Sequence, residues 1–419
     1  MNRPEDGQLI LRIARSVSEI EEIRGIWTEW QSNPTSDIDN FLTMVRLKPE
    51  IQSPHVMLVY RDGLLDSILV GRLERARISF TLGYLKLFQP EVRALCFAYR
   101  GFLGNQSAEN SQFVMREIIK CLSSGEADVA RLDYVGIDSP LCESAKAVPG
   151  ILCRDYSAPT QPHGCLRLPG TFEEFFGSLS RKERHNLKRY SGRVKTDFPE
   201  KMRIQSFRQE SEVEDLIRDT EGVAKKTYQR ALGVGFQHNL ETRQSLRSAA
   251  QKGDLRGCIL YLEDIPCAFM IGVQYRQALH GISTGYDPQY TEYSPGSLVL
   301  MHWIREAFES NGSQRVSEID LGPGDGRYKR SLHNHVWHES VVYIFAPTLK
   351  GLLFNFQRTL TYLIDQSARK LFLNTGFLEK IKKVWRSRAQ NTCQIDSSQV
   401  IRDIPYSTSA ASPDQLRIP

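Results

Sequence analysis

The eight cysteines include no C-x-x-C pair. That excludes a zinc ribbon or a thioredoxin-type dithiol and points to reduced, structural thiols. Long apolar runs are also missing. Crossing a bilayer takes roughly 18–20 uncharged apolar residues, and the longest candidate, Val341 to Phe354, is broken by Lys350 and Gly351. The opening Met1-Asn2-Arg3-Pro4-Glu5-Asp6-Gly7 lacks the basic-then-apolar layout of a signal peptide, so the expected location is cytoplasmic. Neither sign of charge dominates: the formal net charge is +5, too small to imply nucleic acid, and no nucleic-acid partner is expected. The phosphate-cradling G-x-x-x-x-G-K-[S/T] and G-x-G-x-x-G spacings do not occur, which removes the usual P-loop and dinucleotide readings.

What is present is an ordinary globular composition, 41% hydrophobic and 25% charged, over 419 residues; two or three domains are expected. The chain alternates strands and helices. Leu9–Ala14 reads as a strand, and Ser18 with Glu21 as a capping box. His55–Tyr60 and Leu64–Gly71 flank Arg61-Asp62-Gly63, a hairpin signal. Ala94–Tyr99 is a strand, Ser111–Leu122 a helix and Val129–Val135 a strand. Thr171 with Glu174 and Ser211 with Glu214 read as further capping boxes. A helix is expected from Val213 to Leu232, stopped by Gly233. Then come paired strands over 256–262 and 267–275, a strand over 278–285, a helix over 297–308 and a strand over 316–321. The two halves repeat one order, and each ends on a strand carrying an acid, Asp133 and Asp320. A duplicated unit is the simplest account. Expected bounds are 1–165 and 166–347 for the two units, 348–389 for a basic helical extension and 390–419 for a disordered tail.

Three stretches could carry chemistry. In Tyr286-Asp287 through Ser294-Pro295-Gly296-Ser297-Leu298 a strand ends and a helix opens; free amides there attract anions such as a diphosphate, although Pro and Gly also mark a plain helix start. In Asp320-Leu321-Gly322-Pro323-Gly324-Asp325-Gly326-Arg327-Tyr328-Lys329, a flexible run delivers Tyr328 and Lys329 after an acid at a strand end. A fixed cation there could stabilise an oxyanion, Asp320 could orient an amine or accept its proton, and Tyr286 or Tyr328 could protonate a leaving thiolate. In Ser180–Tyr190, Arg181, Arg184 and Lys188 share a helical face that could hold an anionic substrate or simply meet solvent. The histidines at 333, 335 and 338 lack companion ligands at metal spacing, and no metal is expected.

The order hairpin, Tyr286-Asp287, Ser294-Pro295-Gly296, helix, Ile319-Asp320-Leu321-Gly322, Tyr328-Lys329 resembles the acetyltransferase domain of the GNAT superfamily. The nearest branch is the CelD-like acyltransferases of cellulose and exopolysaccharide biosynthesis, related to the FemABX transferases with two such domains in tandem. Lys182-Glu183-Arg184-His185-Asn186-Leu187 resembles the basic helix opening the second domain in both groups. The resemblance implies tandem α+β (mixed α/β) domains, each a mixed, mostly antiparallel twisted sheet flanked by helices. It implies acetyl-CoA or another acyl-CoA as co-substrate, with its diphosphate at Ser294, Gly296, Ser297 and Leu298. It further implies Lys329 at the tetrahedral intermediate, Arg184, Lys182 and Asp287 toward substrate, and an amine or amino-sugar acceptor. The Q/R-x-x-G-x-G/A phosphate loop of such domains is reduced here to Tyr293-Ser294-Pro295-Gly296-Ser297. The competing expectations are a non-catalytic module that binds a nucleotide-sugar or a synthase, and a FemABX-like aminoacyl transferase. For 348–389, peripheral contact with an anionic membrane is expected beside the alternative of a solvated helix.

Overall fold

The computed structural model describes residues 8–372 except 79, 83–84, 228–229, 231–234, 311, 313–314 and 325. The expectations for Leu232, Gly233, Asp325 and everything from 373 onward lie outside the described residues.

The first half runs β1 (Leu9–Ala14), α1 (Val17–Glu21), α2 (Arg24–Trp30), α3 (Ile38–Leu47), β2 (Ile51–Pro54), β3 (Val56–Arg61), β4 (Leu64–Arg77), the ribbon β5 (Phe80–Leu82) and β6 (Leu85–Phe88), β7 (Glu91–Gly104), α4 (Ala108–Ser123), β8 (Val129–Gly136) and α5 (Pro140–Ala147). β9 (Thr160–Arg167) follows as the last strand of the first half, and the second runs α6 (Phe172–Ser178), α7 (Arg181–Asp197), β10 (Met202–Phe207), α8 (Val213–Ala224), α9 (Leu240–Gln251), β11 (Leu255–Leu262), β12 (Ile265–Tyr275), β13 (Ala278–Tyr286), α10 (Pro295–Glu309), β14 (Glu318–Pro323), α11 (Arg327–Leu332), β15 (His335–Phe345) and α12 (Leu349–Phe372).

The hairpins form where turn chemistry permits. Asp62 and Gly63 both take positive φ, as do Glu263 and Asp264, the backbone that two-residue hairpin loops require. The capping boxes shift. Ser16, extended, pairs reciprocally with Glu19, in place of Ser18 with Glu21. Gln209 with Glu212 replaces Ser211 with Glu214. At Thr171 only half of the box forms: its side chain accepts from the Glu174 amide. The helix from Val213 stops at Ala224, well short of Leu232.

The main sheet has the order β1-β3-β4-β7-β8-β15-β9-β14-β13-β12-β11-β10. Five strands on one side mirror five on the other, and only β7/β8 and β13/β14 are parallel. The centre exchanges strands between the halves. β15, near the end of the chain, lies against β8, while β9 lies against β14, and β15 and β9 pair antiparallel. The fold is therefore mixed α/β in tandem, with one sheet continuous through both halves.

Helices cover both faces, so each half buries two apolar layers. In the second half α10 contributes Leu298, Val299, Trp303 and Ile304 against β11, β12 and β14; a large apolar side chain fully buried in this way contributes about 1.5–3 kcal/mol. Trp303 also donates Nε1–H to the Arg256 carbonyl (2.9 Å). It lies so close to β12 that a Cβ on Gly272 would stand 2.3 Å from its ring and 2.7 Å from the His280 carbonyl; only glycine fits. The seven described cysteines are free, and six are buried. Burial pushes the Cys165 thiol up to about 12.

Candidate active site

The parallel pair β13/β14 stays in register for three residues, ending at His280 opposite Asp320. Beyond that point no further pairing joins the two strands, and Asp320 marks where they part. Its Oδ1 accepts from His163 Nε2 (2.6 Å) and from the Gly322 amide (2.7 Å), and its Oδ2 accepts from His280 Nδ1 (3.2 Å). Hydrogen bonds from the two imidazoles outweigh burial and hold this carboxyl well below the usual carboxylate range.

His163 comes from β9, the exchanged strand. Its Nδ1 meets Glu339 Oε2 on β15 (2.8 Å). Both its nitrogens face carboxylates, which only accept when ionised, so the ring is an imidazolium. Burial opposes that charge, but the hydrogen bonds it donates to Asp320 and Glu339 prevail and raise its pKa. The ring is sandwiched between Trp337 (centroids 4.3 Å, 15° between planes) and Tyr99 (5.8 Å, 17°). Trp337 donates to the other oxygen of Glu339 (2.5 Å). His280 differs. Its Nδ1 is engaged by Asp320, and its Nε2 is buried without a hydrogen-bond partner among the described residues. An imidazole oriented by a carboxylate with its far nitrogen uncommitted has the arrangement of a general base.

Lys329, on α11, donates to the Pro323 carbonyl (2.7 Å). Burial pushes its ammonium below the ordinary lysine value, while the Asp320 charge holds it up. Tyr328 is exposed, its ring 6.0 Å from the Lys329 nitrogen. Gly322 and Gly324 both adopt positive φ, the backbone turn that brings α11 back toward Asp320.

At the start of α10, Ser294 sits in the left-handed region and makes no side-chain cap. Pro295 has no N–H to donate. The amides of Ser297 and Leu298 reach back to the Ser294 carbonyl (2.9 and 3.4 Å). Tyr286 lies across this opening; a Cβ on Gly296 would meet its ring at 3.3 Å. Asp287 is buried, is paired with Lys226 (2.7 Å) and accepts from the Gln289 amide; it shapes the turn before α10. Arg184 spends its guanidinium on the carbonyls of Gly177 and Leu179 at the corner between α6 and α7, and Lys182 is exposed. Asp320, Lys329 and Tyr328 thus gather at the end of β14, Tyr286 joins Ser294–Leu298 at the head of α10, and Arg184 and Asp287 are engaged in local structure.

The sequence reading missed His163, His280 and Glu339. The signal open to it was a histidine or glutamate within otherwise apolar strand patterns, as in Ala278-Leu279-His280. Gly281-Ile282-Ser283-Thr284-Gly285 has G-x-S-x-G spacing, yet it lies inside β13 and not at the strand-to-helix turn that exposes a nucleophile. Two other groups, His55/Cys121/Glu126 and Cys258/His302/Glu306, bring ligand atoms within 4.8 Å of one another. In each the glutamate is already paired with an arginine, Arg15 or Arg208.

Residues 181–330 match the family model described as an acetyltransferase (GNAT) domain. That segment spans α7 to α11 and contains His280, the head of α10, Asp320 and Lys329. The match covers 150 of the 419 residues, all in the second half, so what this chain is similar to there is a GNAT acetyltransferase domain. A comparison with curated proteins gives no match. Among solved structures, the chain is similar to FemX (9% identity, 78% of this chain and 96% of that one, TM-score 0.49). It is similar to a tandem GNAT protein from the clavulanic acid biosynthesis pathway (8%, 81% and 99%, TM-score 0.49). It is also similar to L-PGS from Bacillus licheniformis (12%, 81% and 96%, TM-score 0.44).

Proposed function

We propose that the chain transfers an acyl group, acetyl in the first instance, from acyl-CoA to the amine of an amino sugar or nucleotide-linked sugar, as a CelD-like enzyme of exopolysaccharide or cellulose biosynthesis. The observation that carries the reaction type is the half-buried Asp320 at the parting of β13 and β14, flanked by His280 and Lys329 within the matched segment.

The coenzyme lies between β13 and β14, its diphosphate at the head of α10 near Gly296, Ser297 and Leu298, where no side chain caps the helix. The acceptor nitrogen attacks the thioester carbonyl in a ternary complex. A carboxylate as acidic as Asp320 is a poor proton acceptor, so it positions His280, whose Nε2 takes the ammonium proton. Lys329 faces the oxyanion. The carbon–sulfur bond then breaks, and Tyr328 or Tyr286 protonates the departing thiolate. Mass spectrometry of the chain incubated with acetyl-CoA and a panel of amino sugars tests this. The expected result is a product heavier by one acetyl group. Failure of any amine in the panel to react, with no binding of acetyl-CoA by calorimetry, favours the non-catalytic module.

Among the described residues no helix is long and apolar enough to cross a membrane. α12 nonetheless turns Leu349, Leu353, Phe356, Leu360, Leu363 and Ile364 outward, a stripe at helical spacing in a segment rich in lysine and arginine. That combination supports peripheral docking on an anionic surface. Replacing Leu353 and Phe356 by glutamate should abolish co-sedimentation with phosphatidylglycerol vesicles; unchanged sedimentation removes the contact.

A further inference from the structure

The first half has its own parting of strands. β7 and β8 pair from Ala94/Val129 to Phe97/Leu132 and then separate. Just past that point Arg100 and Tyr134 both take a φ of 49°, a backbone conformation that costs a non-glycine residue free energy and collects at ligand clamps. Between the strands lies a cavity of about 250 Å³, whose lining includes Tyr99, Arg100, Asp133, Tyr134, Trp337 and Glu339.

The charges in this lining are unequally satisfied. Asp133 is paired with Arg131 (2.8 Å). Glu339 accepts from His163 and Trp337. Arg100 donates its Nε–H to the Tyr99 hydroxyl (3.2 Å) and lies over the Trp337 and Tyr99 rings (5.3 and 5.7 Å). No carboxylate pairs with it among the described residues, so the terminal nitrogens of a planar, permanently charged fork remain for a ligand. The aromatic faces around it suit the flat side of a ring.

We propose that this cavity binds a monosaccharide-sized ring carrying an anion, phosphate or carboxylate, with the anion on Arg100 and the ring against Trp337 and Tyr134. It is not a second coenzyme cleft. Its volume falls below the roughly 300–1,000 Å³ usual for drug-sized ligands. The helix that follows β7 as α10 follows β13, α4, is closed by Ser107, whose side chain accepts from the Asn110 amide (3.2 Å), unlike the uncapped α10. The bound ring would touch the same Trp337–Glu339–His163 chain that ends on Asp320, placing it one buried imidazolium away from the acyl-transfer site.

Calorimetric titration of the full chain with glucosamine 6-phosphate, glucuronate and glucosamine tests the assignment. At least one of the two anionic sugars should bind saturably at up to roughly millimolar concentration, and neutral glucosamine about tenfold more weakly or not at all. Arg100→Gln should lower the anionic affinity about tenfold or more while its thermal melt and its affinity for acetyl-CoA stay as in the parent. Binding that is unchanged in the variant, absent for both anionic sugars, or abolished in the parent by saturating coenzyme A overturns it. Acetyl-CoA affinity is read in a separate titration, so this site and the acyl transfer assigned to the second half fail independently. Acetylation of glucosamine 6-phosphate would make the ligand the acceptor; binding without product would make it an effector.

Discussion

Lys329→Ala lowers turnover by roughly a hundred- to a thousand-fold, the cost of losing one preorganised group at a developing oxyanion, while acetyl-CoA binds as tightly as to the parent. The split follows from position. Lys329 sits beside Gly322, held by the Pro323 carbonyl and attracted by Asp320. Nothing places it at the diphosphate. Because burial lowers its pKa, the alkaline limb of the parent's kcat profile falls at a pH below the ordinary lysine value of 10.5, and that limb disappears in the variant. Steady-state kinetics and calorimetry on the two proteins check both statements. Equal turnover removes Lys329 from the reaction, and a parallel loss of coenzyme affinity would make it a binding residue instead.

His163→Gln carries the second large effect, on stability. The buried imidazolium stands between buried Glu339 and half-buried Asp320, and removing one member of a buried charge network costs about 3–5 kcal/mol. Its pH dependence has a definite sign. The His163 pKa is raised in the fold, so its contribution is fully present below the unfolded value of 6.5 and is lost as pH rises through the raised one. The Asp320 pKa is depressed, so its contribution is present above the unfolded 3.8 and lost as pH falls toward the folded value. The gap in denaturant midpoint between parent and variant is therefore widest from about pH 4 to 6.5 and narrows above and below. Two parallel curves would show that the ring is neutral or unpaired. Because Glu339 and Asp320 belong to strands flanking the exchanged β9, the same substitution also loosens the seam between the halves.

Much of the fold was legible because its determinants are local. Asp62-Gly63 demanded a hairpin, Pro295-Gly296 opened a helix, and the strand carrying Asp320 followed from its apolar neighbours. The exchanged strands were not legible: β9 and β15 look like any two strands, and only closure of the sheet places each beside the other half. The same closure hides the site's electrostatics. His163 lies 157 residues from Asp320 and 176 from Glu339, and no spacing rule links them. Capping boxes slipped by two residues because several Ser/Glu pairs compete at one helix start and backbone conformation decides between them. Arg184 illustrates a different limit. Its charge was visible, but the carbonyls it satisfies belong to a corner whose shape the sequence does not spell out.

The most direct test is a crystal structure of the full chain with coenzyme A bound. The account predicts the diphosphate within hydrogen-bonding distance of the main chain at Gly296–Leu298, and the sulfur between β13 and β14 within reach of His280 and Lys329. Coenzyme lodged beside Arg100 in the first half, or a cleft beyond Asp320 filled by side chains, would contradict it.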